Sequence, residues 1–344
     1  MKILFCGLGS IGQRHLRNLI EINNKLKISY LYSSNKNKFV LNKENQIVKG
    51  QKLFKFYKFD YCFSNIEDAI NYDPDIVFIT NPSSLHINYA LKFYNAKRII
   101  FIEKPISDSS INLKKIYDLE KKQKRSYVYS GMQFRFHPLI LKLKKIVDKN
   151  IIGTINSGIF MNCEYLPDWH KYENYKESYA SKKELGGGSI LTQIHELDYI
   201  TWIFGKPKTV YCVGGKNSSL NIDVEDSVNT HLFYNNPNNC NLSIIQNYIT
   251  SPPKREFILL GNKGSIECDL IKNIMKLKLP GKKIKFYQYN IERDSLFKKQ
   301  IKDLLLFSKS DKYQLIKIED SYQLLRLAEK VKKSMISNRV IKIY

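Results

Sequence analysis

The most constraining feature of this sequence is an apolar run that enters a glycine-rich turn and leaves it as a helix. Residues 2–6 are suited to a buried strand, residues 7–12 are Gly-Leu-Gly-Ser-Ile-Gly, and Ile11, Leu16 and Leu19 then recur with helical spacing. A strand, a G-x-G-x-x-G turn and a helix in this order begin a dinucleotide-binding βαβ unit. The alternative is an ordinary turn that contains glycines by chance.

Each glycine of this turn has a physical role. Gly7 permits a tight turn, Gly9 lets the backbone approach a pyrophosphate, and Gly12 allows the helix to pack closely. The anion would bind the free N–H groups in the first turn of the helix, where the helix dipole adds a favourable potential. The sequence therefore predicts a cofactor site that contains Gly7, Gly9, Ser10, Ile11 and Gly12.

The residues after the second predicted strand bear on the choice between NAD and NADP. A carboxylate at that point hydrogen-bonds the ribose hydroxyls of NAD and repels the extra phosphate of NADP. The run Tyr32–Lys36 contains no acidic residue. Ser33, Ser34 and Lys36 are candidates for holding a 2′-phosphate, although they could equally form a plain polar turn. The sequence predicts NAD or NADP and slightly favours NADP.

Two patterns of predicted elements divide the chain. Strands alternate with helices up to about residue 130, which predicts a doubly wound parallel sheet, because strands in one direction need helical crossovers. After Lys149, alternating apolar runs predict an antiparallel sheet with one solvated face. A helical segment over 186–205 interrupts these runs, and a final helix is predicted over 320–337. We therefore predict an α/β protein with a Rossmann domain over 1–124 and, over 125–344, a substrate-binding and oligomerisation domain with a large open, mainly antiparallel sheet.

Three polar clusters follow predicted strands of the first domain, at the sheet edge where ligands of parallel sheets bind. The clusters cover residues 80–86, 103–105 and 131–138. We expect the first two clusters to contact the cofactor and the third to contact the substrate. The cofactor-binding candidates are Thr80, Asn81, Pro82, His86, Glu103 and Lys104, and the substrate-binding candidates are Gln133 and Arg135.

Two side chains are suited to proton chemistry. Lys104 follows an apolar strand and precedes Pro105, so it is held at the sheet edge, where it could polarise or deprotonate a hydroxyl. The alternative for Lys104 is a solvated surface charge. His195 stands three residues before Asp198 in the helical segment, and an imidazole can take up a proton while hydride leaves a carbon. The alternative for His195 is a hydrogen-bonded core residue.

Taken together, four motifs resemble the glucose-fructose oxidoreductase/inositol dehydrogenase (Gfo/Idh/MocA) family. They are the glycine turn, Asn81-Pro82 with His86, Glu103-Lys104-Pro105, and the triple glycine that leads to His195. The resemblance implies a tightly held NAD or NADP and the oxidation or reduction of an alcohol on a sugar, inositol or nucleotide sugar. It also implies the roles of single residues: Lys104 and His195 would be catalytic, Asn81, Pro82 and His86 would pass the nicotinamide, and Gln133 and Arg135 would reach towards the substrate.

The sequence departs from this family at a position that matters for proton transfer. Members commonly carry an Asp four residues before the histidine, whereas this chain has Leu191 there, followed by Thr192, in a loop that is one residue shorter. Thr192, which we expect at the substrate, cannot relay a proton as a carboxylate does. Either the histidine works with the lysine alone, or Glu196 or Asp198 assists it, or the chemistry is altered or lost. The last option describes a catalytically impaired dinucleotide-binding sensor of the same fold.

An aromatic-rich segment precedes the triple glycine. It contains Tyr165, Trp169, His170 and Tyr172. These rings could stack on the face of a sugar or form a buried packing cluster, and we include Trp169 among the substrate-binding candidates. We associate departures such as Leu191 with enzymes that act on surface-polysaccharide or sialic-acid-like sugars.

Charge, cysteines and hydropathy restrict the partners. The net charge is +24, but only nine of the 56 basic residues are Arg, and the lysines are scattered. Because base and phosphate recognition favours Arg, we attribute the excess to AT-rich coding bias and expect no nucleic-acid partner. We also expect no membrane span, no metal site, and six reduced, buried, structural cysteines, as is typical of the cytoplasm. The open sheet face predicts a homodimer or homotetramer.

Overall fold

Two β-sheets organise the structure, which is a computed structural model that describes residues 1–32, 39–95, 97–123, 126–235, 239–306 and 314–343. The strands are β1 (Lys2–Cys6), β2 (Lys27–Leu31), β3 (Phe39–Leu41), β4 (Ile47–Lys52), β5 (Tyr61–Phe63), β6 (Ile76–Ile79), β7 (Ile99–Glu103), β8 (Val128–Gly131), β9 (Ile155–Tyr165), β10 (Thr209–Gly215), β11 (Ser227–Tyr234), β12 (Cys240–Asn247), β13 (Ile249–Gly261), β14 (Gly264–Asp269), β15 (Ile274–Lys278), β16 (Lys285–Gln288), β17 (Ile316–Lys317) and β18 (Ile341–Lys342). The helices are α1 (Ser10–Ile22), α2 (Leu53–Phe56), α3 (Ile66–Asn71), α4 (His86–Phe93), α5 (Ser110–Glu120), α6 (Pro138–Asp148), α7 (Ser189–Thr192), α8 (His195–Phe204), α9 (Ser295–Leu306) and α10 (Ile318–Ser337).

The first sheet has the strand order β17-β8-β7-β6-β1-β2-β5, and every pairing except that of β17 with β8 is parallel. Its central strands are continuous apolar runs: β6 is buried along its whole length, and so is β1 after Lys2. Strands covered by helices on both faces need this composition. The predicted doubly wound parallel sheet is confirmed.

The division between the two domains differs from the boundary predicted after residue 124. β8 pairs with β7 and therefore belongs to the first sheet. The chain also returns to this sheet after completing most of the second one, because β17 pairs with β8 and α9 packs against α1. Sequence pattern could not show this return, since a two-residue strand and an amphipathic helix carry no mark of the sheet that they join.

The second sheet has the order β16-β15-β14-β13-β9-β12-β11-β10-β18, and among its pairings only that of β9 with β12 is parallel. Along β13, Phe257 and Leu259 are fully buried, whereas Ile258 and Leu260 are 38% and 49% exposed. One face of the sheet therefore packs against helices, and the other is open. The predicted open, mainly antiparallel sheet is confirmed. α10 contacts both β10 and α5, so it ties the two domains together.

Several local predictions differ from the structure. The hairpin of β3 and β4, the helices α6 and α9, and the strand β15 were not predicted. The helical segment after the triple glycine is two helices, α7 and α8, with a break at Gln193 and Ile194. Five cysteines are buried free thiols, but Cys62 is exposed, because it lies on the edge strand β5. Among the described residues, we find no helix with the length and apolar character needed to cross a membrane.

Candidate active site

A cleft of about 720 Å³ lies where the carboxyl ends of the first sheet face segments of the second domain. Most of the candidate residues line it. They are Gly7, Gly9, Ser10, Ile11, Thr80, Asn81, Pro82, His86, Glu103, Lys104, Gln133, Trp169, Thr192 and His195. Gly12 and Arg135 do not line this cleft, and Ser33, Ser34 and Lys36 lie outside the described residues.

The turn after β1 is closed by contacts that only glycine allows. Gly7 has a φ of +97°, and a Cβ there would lie 2.7 Å from the backbone nitrogen of Asn81. A Cβ on Gly12 would lie 2.4 Å from the carbonyl oxygen of Gly7. Thr80 Oγ1 donates a hydrogen bond of 2.6 Å to that same oxygen. Gly12 thus acts beneath the turn, by letting α1 approach it, and not as part of the cleft surface.

The amino terminus of α1 has the features of a phosphate cradle. A Cβ on Gly9 would meet no atom within 4 Å, so this side of the turn is open to a ligand. In the described part of the chain, no side chain caps the helix, and its first turn contains no acidic residue. The first N–H groups of α1 and the positive end of its dipole are therefore available to a ligand in the cleft. These residues fit the pyrophosphate of a dinucleotide.

Lys104 is fixed by the break between α7 and α8. Its Nζ donates a hydrogen bond of 2.8 Å to the carbonyl oxygen of Thr192. That carbonyl is free to accept because α7 ends at Thr192 and has no following turn. Three residues later the chain enters α8 at His195. The structure therefore brings the lysine of the first domain and the histidine of the second domain to one end of the cleft.

A buried pair lies directly behind Lys104. Glu103 Oε2 accepts a hydrogen bond of 3.0 Å from the backbone N–H of Lys104, and Oε1 lies 2.7 Å from His15 Nε2. Although burial alone would raise the pKa of Glu103, the bond and charge of His15 and the proximity of Lys104 lower it on balance. Both carboxylate oxygens are thus occupied within the protein. Sequence analysis missed His15, which lies in α1 three residues after Gly12.

His86 braces two strand-end loops against each other. Its Nε2 lies 2.7 Å from the carbonyl oxygen of Asn81, and its Nδ1 lies 3.0 Å from that of Pro105. Burial lowers the pKa of His86, although the two carbonyl contacts act in the opposite direction. A neutral ring donates a hydrogen bond to one of the two oxygens and packs against the other. The segment predicted to pass the nicotinamide is therefore held in place by a side chain of its own.

His195 is buried and has an unusual electrostatic environment. Burial lowers its pKa well below the ordinary value, and the positive charges of Lys104 and Arg255 lower it further. Its Nδ1 is buried and has no hydrogen-bond partner among the described residues. Phe134 packs against the ring, with 5.0 Å between centroids. The imidazole is neutral at physiological pH, as a proton acceptor must be.

No carboxylate supports His195 from the positions that the sequence suggested. Leu191 is a core residue, and the hydroxyl of Thr192 bonds the carbonyl oxygen of Gly188 and the hydroxyl of Tyr248. Glu196 is tied to Arg255 and Asn162, and Asp198 to Arg135. Among the described residues, neither acid forms a hydrogen bond with the imidazole. Of the options given by the sequence, the geometry therefore favours the one in which His195 acts with Lys104 and without a carboxylate.

The substrate-binding candidates divide into two groups. Gln133 and Trp169 line the cleft. Arg135 instead forms a buried ion pair with Asp198, through contacts of 2.8 Å from Nη2 and 3.1 Å from Nε, and it does not line this cleft. The expectation that Arg135 reaches the substrate therefore differs from the structure. Gln133 and Arg135 stand two positions apart in a short 3₁₀ turn and point in different directions, which a motif match alone does not resolve.

Two further features of the cleft were not predicted. Arg255, on β13, lines it and forms an ion pair with Glu196, with 2.7 Å between Nη2 and Oε1. The segment of residues 166–185 forms an outer wall, and its Tyr172 contacts Phe39, with 5.3 Å between ring centroids. We call this segment the strap. In the sequence, Arg255 stands out only as a basic residue that alternates with the apolar residues Phe257 and Leu259.

Comparison with known proteins finds relatives that are named as a dehydrogenase and as a hydratase. Inositol 2-dehydrogenase of Salmonella typhimurium is 26% identical over 235 residues, which are 66% of this chain and 61% of that protein. The 2,7-anhydro-N-acetylneuraminate hydratase of Escherichia coli is 24% identical over 225 residues, 64% of this chain and 58% of that protein. Each match thus covers less than two thirds of the relative. The structure of levoglucosan dehydrogenase with NADH superposes with a TM-score of 0.83 at 16% identity, covering 100% of this chain and 99% of that one, which shows a shared fold.

Family models match both domains. Residues 1–130 match the oxidoreductase family with an NAD-binding Rossmann fold, and residues 140–267 match the GFO/IDH/MocA C-terminal domain. These matches cover most of the chain, and they place the glycine turn and Lys104 in the first domain and His195 in the second. The chain therefore belongs to the Gfo/Idh/MocA oxidoreductase family.

Proposed function

We propose that this protein is an NAD(P)-dependent oxidoreductase that transfers a hydride between the nicotinamide and a secondary alcohol or ketone of a sugar, inositol or nucleotide sugar. The observation that carries the proposal is the meeting of Lys104 and His195 at one end of a cleft whose other end is the α1 phosphate cradle. The cradle fixes the cofactor, and the two side chains act where its reactive end would lie.

The chemistry assigned to each residue follows from its charge. When bound, the cofactor supplies the acceptor or donor for the hydride. His195, held neutral by burial and two neighbouring cations, takes the hydroxyl proton during oxidation and returns it during reduction. The Lys104 ammonium, anchored on the carbonyl oxygen of Thr192, donates a hydrogen bond to the reacting oxygen and stabilises its developing negative charge.

We further propose a role in surface-polysaccharide or sialic-acid-like sugar metabolism, in the cytoplasm. The relative from Escherichia coli named as a hydratase of an N-acetylneuraminate derivative supports the sugar class, and six free thiols agree with a reducing compartment. We propose NAD or NADP as cofactor, with a slight preference for NADP based on the sequence. The open face of the second sheet, with Ile258 and Leu260 exposed, is the surface proposed to form a homodimer or homotetramer.

Oxidation of a panel of sugars, inositols and nucleotide sugars tests the proposal. We expect NAD⁺ or NADP⁺ to be reduced, as followed by absorbance, with His195→Ala lowering kcat about 100-fold or more. Dinucleotide affinity, measured by fluorescence, should stay near that of the wild type. Lys254→Ala is the matched control, because this exposed lysine lies outside the cleft.

The alternative is the non-catalytic sensor, and one observation favours it. The buried Nδ1 of His195 has no partner in the described part of the chain, so the protonated ring would form beside two cations without a stabilising carboxylate. Tight binding of dinucleotide with no turnover of any sugar in the panel would contradict the enzyme and support the sensor.

A further inference from the structure

Arg255 occupies a position where an apolar residue would be expected. On β13 it shares the inward-facing row with Phe257 and Leu259, both of which are fully buried. Its side chain is only 17% exposed, and it lines the same end of the cleft as His195. A guanidinium in this row loses most of its hydration, which is costly unless its N–H groups find partners. Its presence at the cleft therefore needs a specific cause.

The guanidinium is held rigidly from two sides. Its Nε donates a hydrogen bond of 2.8 Å to Glu196 Oε1, and the ring of Phe134 lies under it, with 3.8 Å from Cζ to the ring centroid. Glu196 is fully buried and is itself fixed by a hydrogen bond of 2.9 Å from Asn162 Nδ2. The negative charges of Glu196 and Glu164 help to raise the pKa of Arg255 despite its burial, so this side chain stays cationic.

This anchoring leaves one nitrogen of the fork both accessible and without a partner among the described residues. Nε is bonded to Glu196, and Nη2 lies 2.7 Å from the same carboxylate oxygen and is inaccessible. Among the described residues, Nη1 has no hydrogen-bond partner and is not among the buried nitrogens. A buried ion pair by itself adds little stability compared with an apolar pair of the same size. An Arg held at the cleft with an unused, accessible donor is suited to bind a ligand.

Two cations face this end of the cleft. Lys104 and Arg255 both act on His195, one from each domain. Lys104 is assigned to the reacting oxygen, whereas Arg255 lies on the opposite domain and is free to hold another part of the same molecule. Glu196 is occupied by its own hydrogen bonds. Glu164 lines the cleft and also acts on Arg255 through its charge, but among the described residues it forms no hydrogen bond with the guanidinium.

We propose that Arg255 binds a carboxylate of the substrate through Nη1, so that the protein acts on acidic sugars, such as uronic acids or sialic-acid-like sugars. This inference rests on the proposed function and narrows its substrate class. Arg is preferred over Lys for such a site because its planar fork stays fixed by one carboxylate while it donates to a second. A charge-assisted hydrogen bond of this kind changes affinity by about 10- to 100-fold.

Binding of matched sugars to the NADH-loaded protein tests the inference without requiring turnover. The pairs differ only at the acidic group: glucuronate and glucose, galacturonate and galactose, and N-acetylneuraminate and its methyl ester. We expect quenching of NADH fluorescence to report binding about 10-fold tighter or more for the acid in at least one pair. Equal or weaker binding of the acid in every pair would overturn the inference.

Three variants separate a direct contact from a structural role. Arg255→Gln combined with Glu196→Gln removes the ion pair without leaving a buried charge, and it should abolish the preference for the acid while neutral sugars bind as before. Arg255→Lys should retain part of the preference, and Lys254→Ala should retain all of it. Equal weakening of both members of a pair in the double variant would contradict a carboxylate contact.

The same proteins distinguish this inference from the proposed function. If neutral sugars are oxidised and acids are not preferred, the function stands and the inference fails. If acids bind tightly through Arg255 but no sugar is oxidised, the carboxylate site stands and the proposed enzymatic function fails.

Discussion

The two ends of the cleft are constructed in different ways. The cofactor end depends on a six-residue turn whose contacts are between backbone atoms: a Cβ on Gly12 would meet the carbonyl oxygen of Gly7, and one on Gly9 would meet nothing. The reacting end depends on side chains from distant elements, since Lys104 precedes the Thr192 carbonyl that holds it by 88 residues. The glycine turn tolerates few substitutions, because most side chains would clash with its backbone. At the reacting end, by contrast, a single substitution can change the chemistry of the site without disrupting the fold.

The largest expected effect lies at the reacting end. Lys104→Ala removes the ammonium that stabilises the reacting oxygen, so kcat should fall about 100- to 1,000-fold. Because Glu103 and His15 stay in place behind it, the affinity for dinucleotide should change little. Steady-state kinetics and a fluorescence titration of NADH measure the two quantities on the same protein. A comparable loss of dinucleotide affinity would mean that Lys104 belongs to the cofactor end.

A pair of glycine substitutions at the cofactor end separates packing from ligand contact. Gly12→Ala forces a Cβ against the carbonyl oxygen of Gly7 at 2.4 Å, and overpacking of this kind costs about 1–3 kcal/mol. We expect a lower Tm for the unliganded protein as well as weaker dinucleotide binding. Gly9→Ala meets no atom and keeps an ordinary φ of −71°, so it should weaken binding at unchanged Tm. Equal losses of Tm in both variants would show that the turn acts only in folding.

The sequence predicted the strand, glycine turn and helix of the cofactor end, and it predicted the arrangement of the reacting end only in part. Strand, glycine turn and helix are adjacent in the chain, so their spacing carries the geometry. Lys104 and His195 were identified through motifs, but the Arg255–Glu196 pair and the anchoring carbonyl of Thr192 depend on which strands and helices meet. The role expected of Arg135 differed for the same reason, because its partner Asp198 lies 63 residues away. Side-chain contacts between the two domains produce no periodic pattern in the sequence from which they could be predicted.

The strap lines the cleft between its cofactor end and its reacting end. We expect substitutions in the strap to have a smaller effect, on the rate at which the cofactor dissociates. Tyr172 lines the cleft and contacts Phe39 of the first domain. Tyr172→Ala removes a ring contact of about 1 kcal/mol, so NADH should dissociate about 5-fold faster in stopped-flow measurements. Tyr172→Phe keeps the ring and should dissociate NADH at a rate near that of the wild type. An unchanged rate in the alanine variant would show that the strap does not retain the cofactor.

The smallest effect concerns the pH dependence of the reacting end. His195 must be neutral to accept a proton, and burial together with the charges of Lys104 and Arg255 lowers its pKa well below the ordinary value. The rate constant kcat/KM for sugar oxidation should therefore stay level through neutrality and fall only in acid, where the imidazole becomes protonated. Arg255→Gln removes one of the two cations, which raises the pKa of His195 and moves this acid limb to higher pH. Lys254→Ala, a change of equal charge outside the cleft, should leave the limb in place. If the limb does not move in Arg255→Gln, then Arg255 does not act on the imidazole through its charge, and the two domains contribute to the reacting end independently.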